Sequence, residues 1–348
     1  MNLSIINVRA KGSNEGGDVT SRNVSRLTER LRRLETLRAQ VATASQELAT
    51  LQGGGVKPYM IRIRTDLFHG RKGRRPSISK VSAPKGVNLQ VYLLLLFEAQ
   101  CRKRVGISGP SEIPLFPEDP EEVSWDKIVV SRAVDNSHGK SRTTARQNKL
   151  RQIKSAFNRL QEEGLVKVVP DPKRGPARII PLHESGVPGG GDSYEYSIPH
   201  TTYATVGIPS SFFTEGWVYC LTPSEIHVYF TLLHLQRRNP TEHQESGVYC
   251  AGLGRTRDYG MSRDVYESHL LLANFGLIHK VRNPLRHEDG KVKAFNELEK
   301  RGLPLPAHRF RVRPLHDVFT RSALECVTRG MKWELQDRAR KAAPLGRF

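Results

Sequence analysis

At 348 residues, with 37% hydrophobic and 26% charged, the chain is long enough for two or three domains with real cores. Lysine and arginine number 55 against 35 acidic residues, and the resulting +20 recurs in several segments, which favours a polyanion, DNA or RNA before an acidic membrane surface. Cys101, Cys220, Cys250 and Cys326 show no C-x-x-C spacing, which argues against a zinc finger or a disulfide scaffold and suits a reducing cytoplasm.

Residues 1–22 are rich in Gly, Ser and Asn and are expected to be disordered, with too short an apolar run for a signal peptide. The most apolar segment, Val91 to Phe97, is too short to span a bilayer, so no membrane partner is expected. Over residues 23–52, Leu27, Leu34, Val41 and Leu48 fall seven apart, with Val24 and Leu31 on a second seam, which predicts a helix with a coiled-coil stripe. Such a stripe either dimerises the chain or docks on its own domain, and a homodimer through this helix is the expectation. Gln52-Gly-Gly-Gly55 ends it.

Residues 53–86 read as a basic linker or arm. Tyr59 to Arg64 has the pattern of a short strand, and the run Gly70 to Ser77, carrying Arg71, Lys72, Arg74 and Arg75, has the composition of an arm that enters a minor groove. A first domain follows over 87–184, opening with a helix from Asn88 to Arg104 and a second element capped by Ser124. After the turn Asp135 to Ser141, Arg142, Thr143, Thr144, Arg146 and Gln147 stand at the start of a long helix, where such side chains reach phosphates or base edges. Ile153, Phe157 and Leu160 give this helix an apolar side, with Arg151 pointing elsewhere. Gly164 is where it stops. Leu165 to Val169 and Arg178 to Ile180 then make two strands around a basic tip carrying Lys173 and Arg174.

Residues 185–205 read as a linker and 206–335 as a second domain. Thr222, Pro223 and Glu225 spell a capping box with proline at the first helical position, and Ile226, Tyr229, Phe230, Leu233 and Leu235 continue a core helix. Gly252 to Asp258 is the next helix, and Ser262 caps another, with Arg263, Asp264, Tyr266 and Glu267 at its exposed start. Val281 to Val292, carrying Arg282 and Arg286, is wing-like, and Arg309 to Arg313 alternates like a strand with a basic outer face. His316 to Trp333 closes the domain, and 336–348 is read as a loose basic tail.

Val265, His269, Leu272, Gly276, Leu277 and Ile278 repeat the register of Ile153, Phe157, Leu160, Gly164, Leu165 and Val166. The fold class expected is therefore mainly α with small β wings (α+β): two winged-helix domains in tandem, preceded by an N-terminal coiled-coil-like helix. In this order of helix, glycine, strand, basic loop and strand, the chain resembles tandem winged-helix proteins, plasmid-type replication initiators among them, with winged-helix transcription regulators as neighbours. The resemblance implies that both third helices enter successive major grooves of repeated sites in double-stranded DNA, with the wings on the flanking backbone. It implies replication initiation in the cytoplasm, associated with nucleoid or plasmid. Transcription regulation and a scaffold that docks replication or segregation proteins are the alternatives.

No catalytic constellation, metal-ligand spacing or cofactor motif is found, and a non-enzyme is expected. Gly139-Lys140-Ser141 lacks the earlier glycine of a phosphate loop, because residue 134 is Val. His183-Glu184 and His287-Glu288 read as solvated pairs, and His269 as a core histidine.

Overall fold

The computed structural model describes residues 15–70, 73–82, 86–135, 143–170, 178–186, 195–250, 252–287, 291–303 and 305–342. Five residues expected at an interface, Arg71, Lys72, Arg142, Lys173 and Arg174, lie outside them.

The N-terminal helix begins at Glu15, inside the stretch expected to be disordered. Helices α1 (Glu15–Thr36) and α2 (Arg38–Gly53) run on from one another, because Leu37 still donates to the Arg33 carbonyl and accepts from Val41. Leu27, Leu34, Val41 and Leu48 are all buried. The face that covers them is the chain's own: α1 lies on the C-terminal helix and α2 on three elements of the core. The stripe expected to dimerise is thus closed within one chain, since apolar side chains already out of water have no further area to bury against a partner. Arg30 fixes α1, with its two terminal nitrogens 2.6 and 2.7 Å from the Glu225 carboxylate.

The expected linker over 53–86 is also part of the core. Strand β1 (Met60–Arg64) alternates, with Ile61 and Ile63 fully buried; a single 3-10 turn (Thr65–Leu67) and α3 (Ser77–Ser82) follow. Helix α4 (Asn88–Arg102) is buried on all sides apart from Gln90 and its last residue; its buried Glu98 accepts from Glu112 N–H, and its buried Gln100 exchanges hydrogen bonds with the Arg62 backbone. Helix α5 (Trp125–Ile128) has Ser124 at its N-cap, but the Ser124 hydroxyl makes no capping bond. The long α6 (Ala145–Glu162) leads into the antiparallel pair β2 (Val166–Val169) and β3 (Arg178–Pro181).

The second expected linker, 185–205, contributes buried Tyr196 and Ile198, whose backbone bonds to Pro181 and Ile107 extend the first unit. Glu184, expected to be solvated, is fully buried. Its carboxylate accepts from the Arg64 backbone at 3.1 Å and from the Arg64 guanidinium at 2.7 Å, and that guanidinium lies over Tyr196 and Tyr203. Burial raises the Glu184 carboxyl pKa, against the pull of Arg64. His183 is half-buried, its Nδ1 3.0 Å from the Ser185 hydroxyl.

Strand β4 (Thr205–Pro209) pairs antiparallel with β1, Ile61 opposite Ile208 and Ile63 opposite Val206. Helices α7 (Ser211–Thr214) and α8 (Trp217–Cys220) precede α9 (Pro223–Arg238), whose capping box between Thr222 and Glu225 is formed as the sequence spells it. Then come α10 (Pro240–Glu245), α11 (Gly252–Arg257), α12 (Arg263–Tyr266), α13 (His269–Asn274) and β5 (Ile278–Val281). Helix α14 (Phe295–Lys300) lies in the long connection to β6 (Arg309–Val312), and α15 (Leu315–Val318) and α16 (Ala323–Ala342) close the fold. The tail expected to be loose from 336 is helical to Ala342.

One apolar cluster runs from Leu27 to Met331 and takes in both units. Besides the β1–β4 sheet, α2 packs on α4, α5 and α7, and α3 packs on both α4 and α9.

The repeat holds atom for atom at the stop of each third helix. Gly164 and Gly276 take φ of +67° and +80°. Gly164 donates to Gln161 and Leu165 to Leu160; Gly276 donates to Ala273 and Leu277 to Leu272. Both are the glycine stop in which two carbonyls of the last turn are satisfied from beyond the helix. Val166 then pairs with Pro181, and Ile278 with Val312.

Candidate nucleic-acid interface

Helix α6 turns Ile153, Ala156, Phe157 and Leu160 into the core, where Phe157 meets Trp125 edge-on at 5.1 Å. Its opposite side is open. Along that side Gln147, Leu150, Arg151, Lys154, Ser155 and Asn158 line a shallow groove.

The helix start differs from expectation. Thr144 and Gln147 form a capping box: the Thr144 hydroxyl accepts from Gln147 N–H at 3.2 Å and the Gln147 carbonyl oxygen accepts from Thr144 N–H at 2.9 Å. Both side chains are engaged in closing the first turn, and Gln147 keeps only its amide N–H groups for another partner. The Thr143 hydroxyl is buried without a partner among the described residues. Arg146, expected to read a base, is held 3.2 Å from Asp126 and stacks over Phe116 at 5.0 Å, although 61% of its side chain is exposed. Asp135 and Val134 further brace this start, accepting from Ala145 N–H and from the Asn148 amide.

Arg151 is exposed, with the neighbouring Asn148 as its hydrogen-bond partner. Lys154, Ser155 and Asn158 are exposed, and Lys154 has no ion pair among the described residues. Sequence reading passed over Lys154 and Asn158, although both lie one helical turn from Arg151 or from each other and off the apolar stripe. Lys167 and Arg178 are the exposed cations of the β2–β3 pair, and by the pairing register they share its outer face.

The third helix of the second unit is in two pieces. Nδ1–H of His269 donates to the Tyr266 carbonyl at 2.6 Å, and Leu270 N–H, which would take that carbonyl in a continuous helix, bonds to Glu267 instead. Burial pushes the His269 pKa down to about 4. Ser262 caps α12 as expected. Arg263 is exposed but lies 3.2 Å from Glu267, and Arg257 lies 2.7 Å from Asp258. The exposed cations of α11 and α12 named here are thus each balanced by an acid one to four residues away.

Arg286, expected on DNA, is half-buried, with Nε 2.8 Å from the Pro306 carbonyl, so it ties the long β5–β6 connection together. Arg282 is exposed and, with Lys280, His287, Lys293 and His308, borders a groove of about 720 Å³ with no acidic residue on its described wall. Burial, followed by the Arg286 and Lys280 charges, holds His308 down to about 4. Arg74 and Arg75 are exposed and have no ion pair among the described residues.

No group of acidic, histidine or cysteine side chains suited to a metal ion occurs among the described residues. Comparison with family models, curated proteins and solved structures finds no match to this chain.

Proposed function

We propose that the two units are winged helices and that the chain is a sequence-specific double-stranded DNA-binding protein, with initiation of replication as the role its tandem arrangement suits best. The observation that carries this reading is the repetition in register of a third helix, a glycine stop and an antiparallel strand pair, the first copy keeping one helix face free of the core. That face offers Arg151, Lys154, Ser155 and Asn158, which donate to phosphates and base edges, and Lys167 and Arg178 lie on the adjoining strands. The charge of +20 supports a polyanion as the partner. Because Thr144 and Gln147 cap the helix and Arg146 is paired, base reading is assigned to the stretch from Arg151 to Asn158 and not to the first turn.

The test is selection from random duplexes at about 150 mM salt, where the Debye length is about 8 Å and loose attraction is screened. A repeated motif is expected. Arg151→Ala with Lys154→Ala should weaken binding and lower the slope of log K against log salt by about two, roughly one per lost phosphate contact. Repeats clustered at a replication origin would support an initiator, and sites over promoters a transcription regulator. No enrichment, together with no salt-dependent duplex binding, would sink the DNA reading and favour a docking scaffold.

A further inference from the structure

In the sequence Arg74 and Arg75 belong to a basic linker or arm ahead of the first domain, and the exposed start of the second unit's third helix, Arg263, Asp264, Tyr266 and Glu267, carries one cation against two acids. The structure brings these two facts together. Just before the run, Phe68 is fully buried against Phe230 of α9, and the His69 ring lies 5.3 Å from His234 and 5.1 Å from Tyr259. Gly70 N–H then donates to the Asp258 carbonyl at 2.6 Å. At the far end of the run and just beyond it, Pro76 and Ser79 press on Gly260; at its φ of +60°, a Cβ there would meet both at 3.0 Å.

Gly73 to Arg75 is therefore pinned on both sides against the 258–260 turn, and α12 begins three residues after it. Gly70 is required for this approach, because a Cβ at 70 would stand 2.1 Å from the Arg74 carbonyl. At that turn Arg257 and Arg263 are matched by Asp258 and Glu267, whereas Arg74 and Arg75 point to solvent without an acid among the described residues. An unmatched pair of guanidinium groups held by a fixed backbone loses less freedom on meeting phosphate than the same pair on a loose arm.

We infer that Arg74 and Arg75 belong to the DNA-contacting surface of the second unit and supply, from a distant part of the chain, the phosphate contacts that α12 lacks. The inference rests on the proposed duplex binding and adds to it which residues serve the second unit.

Two measurements on the full chain test it. In salt titrations against a 30-base-pair duplex (a length of about three helical turns), Arg74→Ala with Arg75→Ala should lower the slope by about two. The melting temperature should not change, since both side chains are exposed. An unchanged slope in this variant, while Arg151→Ala with Lys154→Ala lowers it, overturns the inference and leaves the proposed function standing; absence of salt-dependent binding in the parent overturns both.

The four native cysteines are buried, so a DNA-cleaving reagent can be tethered at Arg75→Cys and, separately, at Asp264→Cys. Cuts from both positions within the same few base pairs of a selected duplex are expected. Cuts from position 75 beside those from Asn158→Cys would assign the run to the first unit and overturn the inference.

Discussion

His227 and His269 are both buried, and each keeps an Nε2 without a hydrogen-bond partner among the described residues. Removal from water disfavours the charged ring and lowers both to about 4 from an ordinary 6.5. Between these values the unfolded chain binds a proton at each site that the folded chain does not, so stability is full above pH 6.5 and falls as the pH drops toward 4. Each group contributes on the order of 3 kcal/mol across that window. Glu98 and Glu184, whose pKa values burial raises, run the other way, so the histidine contribution has to be read as a difference. His269 stands in the register of Phe157, and His269→Phe supplies the residue of the first copy. Urea midpoints at pH 7 and pH 4.5 should differ by clearly less in this variant than in the parent; an equal difference would show that His269 titrates normally. The sequence reached the core placement of His269 through the repeat, but not the break in the helix, which depends on where its Nδ1–H points.

At the scale of elements, periodicity was a good guide to what forms and a poor guide to what it packs on. The stripe Leu27, Leu34, Val41, Leu48 predicts a helix with one apolar side, and a helix forms. Whether that side meets a second chain or its own is set by surfaces far away in sequence, here α16, α4, α5 and α7. Leu48, fully buried, gives the test. Leu48→Ala should cost about 2–5 kcal/mol of stability, as core truncations do, with a midpoint independent of protein concentration. A midpoint that falls on dilution of the parent, with Leu48→Ala shifting mass in light scattering, would restore the dimer seam. The capping boxes divide in the same way. Thr222 and Glu225 are legible because proline and glutamate follow at fixed spacing, whereas Thr144 and Gln147 reach the same geometry with residue types that equally suit contact with DNA.

At the scale of the molecule, the two expected domains share one core. Among the described residues strand β4 pairs with β1 alone in its sheet, and β1 comes from the stretch expected to be a linker. A two-stranded sheet deprived of one strand leaves its backbone groups unpaired, and isolated pairs are already marginal. Residues 206–348 expressed alone should therefore lack a cooperative unfolding transition, while the full chain melts in one. A sharp melt of the fragment would show that the second unit is independent and that the β1–β4 sheet is incidental.

Local rules read along the chain suffice for the helices, from apolar spacing, for their stops at Gly164 and Gly276, from the positive φ that glycine accepts, and for a repeat in register that points to two units of one kind. Composition likewise sets the excess positive charge. Tertiary structure alone decided which faces were left over. Arg146, Gln147 and Arg286 found partners within the chain, Lys154 and Asn158 found none among the described residues, Glu184 was drawn into the interior by Arg64, and Arg74 and Arg75 came to rest beside the second unit. Each outcome depends on groups brought close by the fold from far apart in sequence, and neither residue type nor spacing carries that information.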